Sequence, residues 1–220
     1  METPHDPEAH ALSVARMEAL SDGIFAVAMT LLVLDLHVPD LIGRGSPGDL
    51  AVALGVQWPA YLAYISSFLT AGIIWANHHA MVRTFRALDK MLLFLNILLL
   101  MVVSFIPFST QVLARYLVVG DFAPTAMLVY SGTMTLMAVS YFSVWVYAWR
   151  ARLLRETLPP AHFNRVTRTH VFQGLVPYVL ADALALTSVW ASLALCILVA
   201  VIYVFIPSAA PHPAADRRSL

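Results

Sequence analysis

Asp22, His78, His79 and Asp182 stand within or at the ends of long apolar runs, where a charged or imidazole side chain is expensive and so faces protein or water. Two amides, Asn77 and Asn96, and a hydroxyl, Ser21, share those runs. At membrane depth such groups can relay protons, line an ion path, or tie helices together by hydrogen bonds. Arg16 and Asp22 lie six residues apart, off any common helical stripe, which turns Asp22 toward another helix. His78 and His79 are its natural partners, because they end the second run on the side where the first begins. The expected product is a cluster of carboxylate, imidazole and amide near the inner leaflet, acting as helix glue or as a transport site. No metal centre is expected, since neighbouring helical histidines point about 100° apart and no further Cys or His completes a tetrahedron. Asp182 shares its segment with Pro177 and suits either a proton relay or, preferably, a contact to backbone or to a Thr or Ser near a hairpin end.

The first run also carries two stripes. Ala19, Gly23 and Ala26 are small and permit close helix approach, which makes a narrow channel around an axis possible. Gly23, Val27, Thr30, Leu31 and Leu34 follow the spacing of one helix face. Periodicity alone says only that this face packs against something. In the third run Pro107 is expected to kink a helix, with the hydroxyls of Ser104, Ser109 and Thr110 nearby to answer a freed carbonyl.

The elements that must hold these groups are membrane spans. The chain is 60% hydrophobic and 12% charged, with a mean hydropathy of +0.77, a balance that belongs to a bilayer rather than to a soluble domain. A span needs about 20 apolar residues. Six stretches qualify, at roughly 17–38, 55–77, 91–113, 124–148, 170–187 and 190–207. The last two are separated only around Thr187 and Ser188, which predicts a tight helical hairpin. Residues 1–15 and 208–220 read as short tails on either side of a six-helix domain, 16–207. The first tail lacks the basic residues of a secretory signal.

Orientation follows from the cations. Arg83, Arg86 and Lys90 follow the second run, and Arg150, Arg152, Arg155, Arg165 and Arg168 follow the fourth. With Arg16, Arg217 and Arg218 they put eleven of the 13 basic residues on one side, leaving Arg44 and Arg115 on the other. The bias places both termini in the cytoplasm of a multi-pass protein of the cell membrane. The stretch Asp35 to Leu54, with Asp40, Asp49 and the breakers Gly43, Gly45, Pro47 and Gly48, reads as an acidic external loop. It either enriches cations at a pore mouth or is simply solvated.

Three motifs in order resemble those of the transmembrane protein 175 family of potassium channels. Arg16-Met17-Glu18-Ala19-Leu20-Ser21-Asp22-Gly23 resembles the Arg-x-x-x-Phe-Ser-Asp signature of its first helix, Trp75-Ala76-Asn77-His78-His79 its second-helix motif, and Asn96 with Ser104 to Thr110 its third. Leu20 replaces the usual Phe, and Val27 stands where an isoleucine is common. The resemblance implies an all-α, six-span protein, four copies of which complete a pore lined by the first helix. It implies apolar rings at Val27, Leu31 and Leu34 that close by dewetting, and Thr30 hydroxyls that replace part of a potassium ion's hydration shell. Arg16, Ser21, Asp22, Asn77, His78, His79 and Asn96 would then brace that helix and the subunit contacts.

The implied partners are potassium ions in transit, the lipid bilayer and further copies of the chain. No cofactor and no nucleic acid is expected, the formal net charge being zero. The competing readings are a proton-conducting or proton-coupled transporter using Asp22 with His78 and His79, and a non-conducting scaffold. An enzyme is not expected, because no His-Glu-x-x-His, nucleophile elbow, P-loop or Rossmann fingerprint occurs.

Overall fold

A computed structural model describes residues 7–41, 46–155 and 160–205. Helix α1 runs from Pro7 to Leu31 and ends in a 3-10 turn, Leu32–Asp35. It thus begins inside the segment expected to be a tail. Met17, Ser21, Phe25, Ala28 and Leu32 are buried along one side, at the three-to-four residue spacing of a single helix face.

The stretch expected as an acidic loop contains a helix, α2 (Pro47–Val56). The cause is a capping box: Asp49 Oδ2 accepts from the Ser46 backbone N–H at 2.7 Å and from its hydroxyl at 2.9 Å, and Pro47 suits a first helical turn. Asp49 is therefore occupied as a cap, while Gly43, Arg44 and Gly45 lie outside the described residues. The Ser46 hydrogen bonds, backbone first, hold the Asp49 carboxyl below its ordinary 3.8. A folded value below the unfolded one stabilises the cap above about 3.8 and loses it as pH falls through the folded value. Amide exchange at Ser46 is accordingly expected to quicken on acidification and to be insensitive to pH in Asp49→Asn once intrinsic exchange is subtracted.

Four long helices form the body: α3 (Trp58–Val82), α4 (Lys90–Tyr116), α5 (Ala123–Arg150), and α1 itself. Among the described residues, the segments Val14–Asp35, Trp58–Val82, Lys90–Tyr116 and Gly120–Arg150 are long and apolar enough to cross a membrane. Helix α4 is the spine, packed against α1, α3 and α5. Asp89 caps it, accepting the Leu92 N–H at 2.7 Å and the Tyr147 hydroxyl at 2.6 Å. The helix continues through Pro107. Ser104 donates to the Met101 carbonyl, while Ser109 and Thr110 donate to that of Ile106.

The fifth run starts ten residues before its hydropathy does. Helix α6 (Pro160–Thr169) passes through a π turn (His170–Leu175) into α7 (Val176–Ala185). Phe163 of α6 stacks on Trp149 at 4.2 Å and on Trp145 at 5.6 Å, so an amphipathic segment too polar for a span is held by its aromatic face. The widened π turn directly precedes Pro177, which cannot donate to the Gln173 carbonyl. After the turn at Leu186–Ser188, α8 (Val189–Phe205) packs back along α7 and reaches α3, giving the expected hairpin. The tail 208–220, with Arg217 and Arg218, lies outside the described residues.

The core is filled by Phe25, Leu99, Ile106, Met134, Trp145 and their neighbours, all fully buried. If lipid rather than water surrounds the bundle, these contacts hold by van der Waals packing and by hydrogen bonds between helices rather than by the hydrophobic effect.

Candidate functional site

The buried side of α1 is fastened by one chain of hydrogen bonds. Asn96 of α4 is completely buried and lies between Ser21 of α1 and His78 of α3. Ser21 Oγ donates to the Met17 carbonyl at 2.9 Å, so its oxygen is free to accept from Asn96 Nδ2 at 3.2 Å. Asn96 Oδ1 can only accept, which makes His78 Nε2, 2.8 Å away, the donor. The direction of each bond fixes the next. His78 is 1% exposed and its ring lies 5.6 Å from that of Phe25, so the imidazole is packed as well as hydrogen bonded.

Around this brace sits a more exposed rim whose partners differ from those expected. Asp22 pairs with neither histidine: its Oδ1 accepts from Trp75 Nε1 at 2.8 Å. His79 Nδ1 instead lies 2.9 Å from Glu18 Oε1. The reason is rotational. Trp75 and His79 are four apart and share a face of α3 that meets the rim of α1, with their rings 6.0 Å apart, while His78 is turned by about 100° into the core. Arg16 is exposed and no described residue pairs with it.

Asn77 leaves the cluster altogether. Its backbone carbonyl accepts the Tyr141 hydroxyl at 2.9 Å. Its residue lines a small cavity of about 50 Å³ between α3, α5, the π turn and α8, together with Tyr141, His170 and Tyr203. Gly174 stands in the π turn where a Cβ would come within 3.3 Å of the Tyr203 hydroxyl. Nothing in the sequence beyond the 100° step from His78 signalled this separation. A further polar set, absent from the sequence reading, joins Thr110 to Ser67 at 2.8 Å and Ser67 to Tyr130 at 3.3 Å.

Asp182 has the hydroxyl partner expected, but on another helix. Thr135 Oγ1 of α5 donates to Oδ2 at 2.7 Å, while Oδ1 is buried without a partner among the described residues. Thr135→Val leaves both oxygens bare at about the same volume. The variant is expected to lose about 1–2 kcal/mol in thermal unfolding, and Thr135→Ser, which keeps the hydroxyl, most of that less.

The opposite side of α1 is bare. Val27 is 57% exposed, Leu31 41% and Leu34 69%, with Gly23 and Thr30 also exposed on the same face. Thr30 Oγ1 is within 3.0 Å of the Ala26 carbonyl and 2.9 Å of that of Val27, so its proton points back into the helix. Its lone pairs are left facing outward, the arrangement a cation would use. Among the described residues no three of His, Cys, Asp and Glu converge to hold a metal.

The chain is similar to known proteins along most of its length. Residues 16–107 match the family described as endosomal/lysosomal potassium channel TMEM175. A protein of Streptomyces collinus named as a potassium channel is 42% identical over 190 residues, covering 86% of this chain and 91% of that one. A crystal structure described as a lysosomal potassium-selective channel TMEM175 homolog, from Chamaesiphon minutus, superposes with a TM-score of 0.78 at 34% identity, covering 88% of this chain and 97% of that one. The rat protein named endosomal/lysosomal proton channel TMEM175 is 32% identical over 189 residues, which are 83% of this chain and 38% of the rat protein. By these likenesses in sequence and fold the chain belongs to the TMEM175 family.

Proposed function

We propose that four copies of this chain form a potassium-selective channel whose pore is walled by the bare face of α1. The observation that carries the reading is the contrast between the two sides of that helix: one locked by hydrogen bonds to α3 and α4, the other, with Val27, Thr30, Leu31 and Leu34, left uncovered. In the tetramer those apolar side chains form rings that narrow the path and dewet it when closed. Thr30 oxygens stand in for part of the hydration shell, favouring potassium because its shell is stripped more easily than that of sodium. The run Pro160–Ala185 and α8 supply a fifth and a sixth crossing, and both termini lie in the cytoplasm, the side of the basic connections. The family membership and the potassium-channel names of the bacterial relatives support the ion assigned.

The decisive experiment is reconstitution into liposomes with an outward potassium gradient. Selective flux is the expected result. Silence, with Val27→Ala and Leu31→Ala equally silent in a folded tetramer, would leave a scaffold.

A second reading, proton passage, has two observations behind it: the Glu18 and His79 pair lies on the rim of α1, and the rat relative is named a proton channel. Against a direct relay, the Asp22 carboxylate is held by Trp75 and the His78 ring by Asn96. Potassium flux that persists in Asp22→Asn favours the channel; loss of flux there, with a saturable, pH-dependent rate in the parent, favours the transporter.

A further inference from the structure

At the end of the bundle where α3 and α5 finish and α4 begins, two connections are zipped into a short ribbon. Phe85 and Leu154 form an antiparallel bridge. The Arg86 N–H donates to the Leu153 carbonyl at 2.8 Å, and the Arg155 N–H to that of Thr84 at 2.9 Å. Arg86 Nε adds a bond to the Arg152 carbonyl at 3.1 Å. Phe85 and Leu154 are buried, at 2% and 7% exposure, and anchor the ribbon to the core. The side chains of Arg83, Arg152 and Arg155 nearby are exposed. Beside the ribbon, α6 exposes Arg165 and Arg168 while its Phe163 is held by the stack on Trp149. The nearby described carboxylate, Asp89, is already engaged by Leu92 N–H and the Tyr147 hydroxyl.

One of these cations is kept at a cost. Arg152 has φ 57°, the left-handed position that follows α5, where the Leu153 N–H reaches back to the Ala148 carbonyl at 2.9 Å and the Arg152 N–H to that of Trp149 at 3.1 Å. Glycine fits that position best, and an arginine there is strained. An exposed residue held in strain points to a task for its side chain.

We propose that the ribbon and α6 form a platform that binds the phosphate headgroups of anionic phospholipids. The proposal rests on the reading of the chain as membrane-spanning, which sets the platform at headgroup depth, directly beyond the ends of three membrane-length helices. That placement, together with the interfacial aromatic pair Trp149 and Phe163, selects a lipid over a dissolved phosphate. Basic side chains at a bilayer surface contribute about 1 kcal/mol each toward anionic lipid, or about fivefold. A fixed ribbon holds several of them without further ordering.

The test uses the full chain in phosphatidylcholine vesicles carrying spin-labelled phosphatidylglycerol or spin-labelled phosphatidylcholine. Phosphatidylglycerol is expected in the motionally restricted shell at about three times or more the level of phosphatidylcholine. Combining Arg152→Gly, Arg165→Gln and Arg168→Gln, which leaves Arg83 and Arg155, is expected to lower the ratio clearly. The lysine versions at 165 and 168 should retain it, and Arg152→Gly alone should raise the melting temperature while lowering the ratio. Equal association of the two lipids in the parent, an unchanged ratio in the triple variant, or loss of the preference to millimolar inorganic phosphate at constant ionic strength would each overturn the platform. Potassium flux measured in the same vesicles separates the two readings: a conducting chain without lipid preference sinks the platform alone, and a silent chain that keeps the preference sinks the channel alone.

Discussion

In potassium-loaded liposomes the Leu31→Ser chain is expected to pass ions about ten times faster than the parent and to lose most of its preference for potassium over sodium. What changes is the height of the barrier. In the proposed tetramer a ring of four leucines would exclude water from the narrow part of the path, and an ion would cross it partly unhydrated. Serine rewets the ring, and lowering a barrier by about 1.4 kcal/mol already accounts for a tenfold rise. The fold should tolerate the change, because Leu31 is 41% exposed and lies on the side of α1 turned away from α3 and α4. Val33 provides the control. It is 48% exposed but sits on a different face of the same helix, so Val33→Ser should leave rate and selectivity near the parent values. If the two serine variants behave alike, Leu31 does not line the path.

The second large effect is on assembly. Asn96→Leu keeps the side-chain volume but leaves the His78 Nε2 donor and the Ser21 oxygen without their partner in a fully buried site. Hydrogen bonds between membrane helices average about 0.6 kcal/mol and reach about 1.7, and an orphaned buried donor adds about 1–3. The combined loss is expected to be about 2–4 kcal/mol, read as a lower melting temperature in detergent and a smaller tetramer fraction on size exclusion. Ser21→Ala should cost less, since it leaves one donor, Asn96 Nδ2, without its 3.2 Å partner and keeps the shorter bond between His78 and Asn96. His78→Leu together with Asn96→Leu should cost clearly less than the two single changes added, because each removes the partner the other leaves bare. Simple additivity would mean that the three residues do not act as one unit.

What the sequence could convey follows from what depends on composition and what depends on rotation. Apolar runs and the Thr187 and Ser188 break located the long helices and the hairpin, because span length is a property of each segment by itself. The stripe along α1 was legible as periodicity, but not that one chain leaves it uncovered. Partner choice was not. Asp22 meets Trp75 rather than His78 because the roll of α3 about its axis is set by packing along its whole length, which no local spacing encodes. Asn77 was grouped with its neighbour by motif although one helical step carried it to the other side of α3. The capping box at Ser46 and Asp49 was present in the sequence, yet the glycines around it outweighed it. Helix α6 escaped a search for hydrophobic length because its stability comes from stacking on Trp145 and Trp149. The backbone zipper between residues 83–86 and 152–155 joins segments far apart in the chain and left no local trace.

That zipper has a mechanical consequence. With the α3–α4 corner stitched to the end of α5 by main-chain bonds, the bundle behind α1 has little freedom to shear internally. In the proposed assembly of four such units, widening would come from tilting whole staves of a barrel against one another, with the give concentrated at the seams and the wood itself unbent.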